Sequence, residues 1–296
     1  MPTLRQLRDR VKSLKNTEQI TRAMKMIAGA KIRRAELDMR AARPYAAAIG
    51  EMLAQLASAG GSGLNHPLLE QREVKKRAIL LMTADKGLCG AFNSNLVRAA
   101  LKVIEVSRPT LPGTLPIPLG PSLYLVGTKG RVQLRRSQHE VAAEWMLGGM
   151  PFAERAREIA QRVSGDFTSG VVDSVTLISS RFVSTMVQRP TTMQLLPIAA
   201  SGETRRDPSK NSFEFEPDVG AVLAALLPKY LEFTIFQALL ETQASEYAAR
   251  LIAMTNATDN AGKLIDEITL LMNKTRQASI TKEILEIVGG AEALKG

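Results

Sequence analysis

The chain has 296 residues, 45% of them apolar but only 4% aromatic, and its formal net charge is +10. A basic balance points to an acidic protein partner, a nucleic acid or an anionic membrane surface, and a low aromatic content fits long helices. The single cysteine, Cys89, excludes an intrachain disulfide, and His66 and His139 stand too far apart in sequence for zinc-ligand spacing, so neither a metal nor any other cofactor is expected.

The opening stretch MPTLRQLRDRVKSLK lacks the apolar core of a secretory leader, and unbroken apolar runs stay well under about 18 residues, so no membrane span is expected. Thr3 is placed to cap a helix, with Gln6 as its capping-box partner. Leu4, Leu7, Val11 and Leu14 then recur at alternating steps of three and four residues, the seam of a coiled coil. Following the apolar residues, the seam continues through Ile20, Met24, Ile27, Leu37, Tyr45, Ile49, Met52 and Leu56. Pro44 is expected to kink this helix without ending it, and SAGGSG (Ser58–Gly63) to stop it. A helix over residues 3–57 would be roughly 80 Å long; residues 1–58 form the first predicted domain.

Within that helix, TRAMKMIAGAKIRRAE (Thr21–Glu36) is rich in small residues. Ala23, Ala28, Gly29 and Ala30 would let a partner backbone approach closely, offsetting the roughly 1 kcal/mol that a mid-helix glycine costs. Lys25, Lys31, Arg33 and Arg34 cannot all lie in a seam, so a basic face is predicted to stay outside.

Residues 74–200 read as a central domain. VKKRAILLMTA (74–84) is a buried strand, and DKGLCGAFNSNL (85–96) turns into a helix reaching about Val106. The Pro-rich segment Ser107–Ser122 is a loop or linker. Leu123–Gly127 is a second strand, followed by a short helix near Arg131–Ser137 and an amphipathic helix over Phe152–Val163. Ser174–Ile198 gives two long strands, or one strand with a bend. Strands alternating with helices predict a mostly parallel, doubly wound, Rossmann-like α/β domain. The turn at Gly87–Gly90 matches neither G-x-G-x-x-G nor a Walker A loop. It is therefore expected to be a tight strand-to-helix turn, with Cys89 a small packed residue. No Ser-His-Asp or Cys-His set stands out, and the carboxylates are scattered.

The last predicted element is a helix over residues 218–288, roughly 105 Å long. Phe233, Leu240, Ala244, Tyr247, Leu251, Met254, Ala261, Ile265, Ile268 and Met272 form a four-three ladder with polar interruptions at Gln237 and Thr258. Gly289 and Gly290 are expected to end it. Residues 1–58 hold 12 basic against 5 acidic residues, whereas 218–288 hold 6 against 9. Opposite charge favours pairing of the two helices with each other, as an antiparallel coiled coil. The second helix is longer, so its end should overhang. Beyond Met272, the residues Ile280, Ile284, Leu285, Ile287 and Val288 spread over more than one face, and an apolar tip left in water marks an interaction site.

The stretches VKSLKNTEQITRAMKMIAGAKIRRAE, ADKGLCGAFNSNL, PTTMQLLPI, ASEYAARLIAMTNATDNAGKLI and NKTRQASITKEILEIVGGAEAL resemble the gamma subunit family of F-type rotary ATP synthases, over nearly the whole chain. The resemblance implies a shaft of the two terminal helices inside a hexamer of alternating alpha and beta subunits. It implies a central domain seated on the ring of c subunits beside the epsilon subunit, with catalysis on beta and this chain non-catalytic. It implies a peripheral position on the cytoplasmic face of the bacterial inner membrane. By the same resemblance, Met24 with its neighbour Lys25, and Arg250 on the other helix, meet an acidic loop of beta. Arg276, Gln277 and Thr281 form a further beta contact, and the tip residues Ile284, Leu285 and Val288 sit in an apolar sleeve. The inserted cysteine pair of the photosynthetic branch is excluded by the single Cys89.

Two other readings compete. A basic coiled coil that binds nucleic acid would use the +7 of the first helix, although aromatic stacking platforms are missing. A nucleotide-binding enzyme would need the phosphate loop that the central domain lacks.

Overall fold

Among the described residues, two long helices open and close the chain, and a five-stranded sheet, three further α-helices and a short 3-10 helix (Pro67–Leu69) lie between them in sequence. The computed structural model describes residues 3–60, 66–106, 120–135, 139–198 and 218–293. The elements are α1 (Leu4–Gly60), β1 (Arg77–Met82), α2 (Phe92–Val106), β2 (Ser122–Val126), α3 (Thr128–Leu134), β3 (Val141–Trp145), α4 (Phe152–Thr168), β4 (Ser174–Phe182), β5 (Gln188–Leu196) and α5 (Val219–Ala293). The chain divides into two compact units, one of Met1–Gly29 with Arg250–Gly296 and one of Ala30–Ala249.

The larger unit is built on the sheet, in the order β3-β2-β1-β4-β5, with β5 alone antiparallel to its neighbour. After the exposed Arg77, β1 is apolar because both of its faces are covered, as parallel strands require. Ala78, Leu80 and Met82 face one core, with α4 and the N-terminal part of α5; Ile79 and Leu81 face the other, with α2. Helices on both faces make the domain doubly wound, as predicted. The sequence reading did not anticipate β3, whose five residues VAAEW include alanines of low strand propensity. It also stopped α4 at Val163, whereas Phe167 is fully buried and carries the helix one turn further, to Thr168. The Ser174–Ile198 segment is two antiparallel strands. Of the Pro-rich segment Ser107–Ser122, residues 107–119 lie outside the described residues; Ser122 already belongs to β2.

In this unit α1 and α5 run antiparallel. Lys31 Nζ lies 5.5 Å from the Tyr247 ring centre, and the Tyr45 and Phe233 rings meet edge-on at 4.7 Å. Ile32, Ala35, Met39, Ile49, Leu53 and Leu56 are the buried positions of α1 here, again in steps of three and four or sums of them. Two hydrogen bonds attach α5 to the end of β4: Ser180 N donates to Thr242 Oγ1 at 3.3 Å, and Ser245 Oγ donates to the Ser180 carbonyl at 3.4 Å.

α1 continues through Pro44, as expected. α5 does not end at Gly289 and Gly290 but runs to Ala293. Neither glycine takes the positive φ that terminates a helix, so each merely lowers helix propensity by about 1 kcal/mol. By length and composition alone, α5 contains an 18-residue window apolar enough to cross a bilayer (mean hydropathy 1.3, 33% buried), a test that a helix packed in a protein core also passes. Charged residues interrupt every run, so the absence of an unbroken apolar stretch missed it. The helix contributes Leu223, Leu227, Leu231, Ile235 and Leu239 to the core against the sheet.

Candidate functional site

The smaller unit is the coiled coil formed by the start of α1 and the last part of α5. Its first turn is closed by the predicted capping box: Thr3 N donates to Gln6 Oε1 at 2.9 Å and Gln6 N to Thr3 Oγ1 at 3.3 Å. On α1 the less exposed positions follow a four-three seam without a break, Leu4, Leu7, Val11, Leu14, Glu18, Thr21, Lys25 and Ala28, with Met24 and Gly29 half-buried beside it. On α5 they include Leu251, Met254, Thr258, Ala261, Ile265, Ile268 and Met272, the ladder expected from sequence.

The α1 seam corrects the sequence reading beyond Leu14. Ile20 and Ile27 are 61% and 57% exposed, and in the larger unit Leu37 and Tyr45 are 66% and 53% exposed. Following the apolar residues moved the frame by one or two positions. The heptad geometry keeps its stripe, and Thr21, Lys25, Ala28 and Ala35 occupy it instead. Ala28 is a buried small residue as expected, but Ala23 and Ala30 face solvent. A Cβ on Gly29 would meet Leu251 Cδ1 at 3.9 Å, an ordinary contact, so close helix approach does not require glycine there. Lys31, Arg33 and Arg34 lie on an exposed basic face.

One buried polar contact sets the register. Thr258 Oγ1 donates to Thr21 Oγ1 at 2.9 Å, while Thr21 Oγ1 donates to the Glu18 carbonyl at 3.0 Å. With Thr21 opposite Thr258 and Gly29 beside Leu251, the helices are antiparallel. That register leaves no α1 residue opposite α5 beyond about residue 275. Every residue from Arg276 to Ala291 is exposed, including Ile280, Ile284, Leu285, Ile287 and Val288 at 48–72%. The expected overhang is present, and its apolar side chains meet nothing in the coil.

The sequence-predicted contact residues fall into two clusters. Met24 and Lys25 are half-buried at the edge of the seam. Arg250 is buried, which the sequence did not foretell, and the register brings it within about two turns of them. Arg276, Gln277, Thr281, Ile284, Leu285 and Val288 lie on the exposed overhang, beginning roughly 40 Å further along the helix. There, Thr281 Oγ1 donates to the Gln277 carbonyl at 2.9 Å and Lys282 pairs with Glu286 at 3.6 Å. These are local helix contacts that leave the Arg276 and Gln277 side-chain heads facing water.

Sequence reasoning missed the polar hub of the larger unit, at the end of β1. Asp85 Oδ1 accepts from Thr128 N at 3.1 Å, and Oδ2 accepts from Leu147 N and Gly148 N at 2.9 and 3.1 Å. One carboxylate thereby ties together the segments that follow β1, β2 and β3. Beside it, Asn93 Oδ1 accepts from Ala84 N and its amide donates to Cys89 Sγ. Leu88 takes a φ of 62° and Cys89 is buried in the core, so Gly87–Gly90 is the tight turn expected. The available signal was position: the first carboxylate after a fully buried strand of a parallel sheet stands where successive strand-to-helix turns converge.

The residues 3–294 match the family model described as ATP synthase. The chain is similar to the ATP synthase gamma chain of Desulforamulus reducens, 46% identical over the full length of both, and to that of Pelotomaculum thermopropionicum, also 46% identical over both full lengths. Among solved structures it is similar to a chain of the Tetrahymena thermophila mitochondrial ATP synthase central stalk and c-ring, with 28% identity and a TM-score of 0.59 over 80% of this chain and 99% of that one. A chain of the Euglena gracilis mitochondrial enzyme shares the fold, with 21% identity and a TM-score of 0.67 over 98% and 94% of the two chains. These matches lend no support to the nucleic-acid-binding alternative. A full-length family match, near-half identity to full-length gamma chains and a common fold together place this protein: the chain belongs to the ATP synthase gamma chain family.

Proposed function

We propose that the chain is the central-stalk subunit of an F-type ATP synthase, the rotor shaft that couples proton flow through a membrane ring to ATP synthesis or hydrolysis. The observation that carries this reading is the overhang: α5 outruns its partner helix and exposes an apolar tip, Ile280 to Val288. Such a tip in water is an interaction surface. An apolar sleeve formed by alpha and beta subunits suits it, because apolar contacts are non-directional and let the tip turn. The catalytic sites lie on beta, and this subunit is non-catalytic.

A single chain cannot match the threefold symmetry of a ring of three alpha–beta pairs, so each beta meets a different face of the shaft. Rotation then biases three otherwise identical sites through differential contacts. Shaft helices 1–58 and 218–288 transmit the torque, and the central domain 74–200 takes it from the c ring, beside epsilon. Met24, Lys25 and Arg250 form one contact with beta and Arg276, Gln277 and Thr281 a second, with Ile284, Leu285 and Val288 in the sleeve. Cationic and amide donors suit carboxylates and carbonyls on the partner. The assembly is peripheral to the membrane, on its cytoplasmic face.

The test is co-expression of the tagged chain with the alpha and beta subunits of its organism. One copy per three alpha–beta pairs, with multisite ATPase that falls as residues beyond Asn273 are removed stepwise, is expected. Absence of stable association, or hydrolysis indifferent to truncation, would refute the shaft.

A further inference from the structure

We infer that the β4–β5 hairpin is a second docking element, built to meet a surface of another subunit that sets carboxylates beside an apolar patch. This inference rests on the proposed function, since it requires that the chain works inside a multi-subunit assembly. It starts from a conflict within the sheet. Arg181 on β4 and Arg189 on β5 are directly opposite one another in the ladder, and both are exposed. Like charges at such a pair destabilise it. Among the described residues neither guanidinium has a carboxylate or other side-chain partner.

Protection of an open sheet edge does not require that two arginines stand directly opposite one another. β5 is the edge strand, and Arg189 followed by Pro190 would discourage another strand from pairing there. Arg181 lies beyond Ile178, the last β4 residue paired with β1, on the part of the hairpin that β4 and β5 form alone. Placing it opposite Arg189 adds repulsion that a bound carboxylate would relieve, and two guanidiniums side by side can share one carboxylate or take one each.

The tip of the hairpin adds an apolar element. Met186 is 76% exposed, the most exposed large apolar side chain described, with Val183 and Val187 beside it at 55% and 39%. This is an ordered tip. Val183 N and Ser184 N donate to the Val187 carbonyl at 3.3 and 3.1 Å, and Val187 N donates to the Ser184 carbonyl at 3.1 Å. The Gln188 amide donates to the Thr185 carbonyl at 2.7 Å and the Ser184 carbonyl at 3.2 Å. At its base, Ser180 is tied to Thr242 and Ser245 of α5. A preorganised hairpin loses little conformational entropy on docking, and its attachment to α5 connects a load on the tip to the long helix. Cations at the base and an apolar tip fix the chemistry of the partner: aspartate or glutamate flanking exposed aliphatic side chains.

The experiment uses the complex assembled with alpha, beta, epsilon and the c ring. A photo-activated cross-linking residue replaces Met186, and cross-linked peptides are identified by mass spectrometry. A cross-link to another subunit, at a segment containing Asp or Glu, is expected. Its yield should fall about tenfold or more in the R181E/R189E double variant and in high salt, while R181K/R189K retains most of it. Melting curves of the variants confirm that the domain is folded. A complex that assembles normally but gives no intersubunit cross-link, or one indifferent to charge reversal, overturns the hairpin inference and leaves the shaft intact. If the parent chain fails to assemble at all, both fall.

Discussion

Removal of the Asp85 carboxylate is the sharpest perturbation of the central domain. Its two oxygens accept three backbone N–H bonds, from Thr128, Leu147 and Gly148. Hydrogen bonds to a charged group contribute about 1.5–3 kcal/mol each. Asp85 is only partly buried and Gly148 N is exposed, so water recovers a share. Asp85→Ala should therefore cost about 3–4 kcal/mol, a large part of the roughly 5–15 kcal/mol that holds a typical domain. Asp85→Asn keeps one accepting oxygen. Turned toward Leu147 and Gly148 it retains two of the three bonds and sets its amide against Thr128 N, for a loss of about 1–2 kcal/mol. The single tryptophan, Trp145, lies at the end of β3, two residues from Leu147, and reports on this region. Urea titrations followed by its fluorescence give the stability differences from shifts in midpoint at constant slope. A loss below about 1 kcal/mol for Ala, or an Asn variant as damaged as Ala, would refute the assignment of Asp85 as the tie between the three segments.

In the coiled coil, Thr258→Val alone should cost about 1 kcal/mol by orphaning an acceptor on Thr21, whereas Thr21→Val with Thr258→Val should be nearly neutral. A double-mutant cycle on thermal stability that shows no coupling would count against the buried hydroxyl pair as a register contact. Gly29→Ala should raise stability by about 0.5–1 kcal/mol, since its Cβ meets Leu251 at an ordinary 3.9 Å; a lowered melting temperature would mean that the helices are closer than described. Gly127→Ala should cost about 3 kcal/mol or more, because φ is +85° and the new Cβ would stand 2.1 Å from the Thr83 carbonyl oxygen; an unchanged urea midpoint would contradict that geometry. Burial, then the hydrogen bond to Asp166, raises the Tyr124 phenol above its ordinary pKa of 10.0. A raised folded-state value means that its contribution is full below pH 10 and is lost as pH rises beyond it, so the parent should lose stability above pH 10 more steeply than Tyr124→Phe; parallel pH profiles would exclude Tyr124 as the cause.

Much of the architecture was legible in the residues themselves. Local signals are short-range physics: the Thr3–Gln6 capping box, the four-three ladder of α5, the apolar run of β1 and the proline-free ends each depend on neighbours a few positions away. Those signals predicted two long helices around a doubly wound sheet and an overhanging tip. The path of the α1 seam was not legible, because its frame follows helix geometry rather than the most apolar side chains. Only the packed partner shows that Thr21 and Ala28 are inside while Ile20 and Ile27 are out. Nor could the burial of Arg250, the three bonds to Asp85 or the opposition of Arg181 and Arg189 be read from the chain. Each joins residues far apart in sequence or depends on strand register. Side-chain periodicity specifies which face of an element is apolar, but the choice of neighbour and the residue-by-residue alignment across it arise only when the whole set of elements packs together.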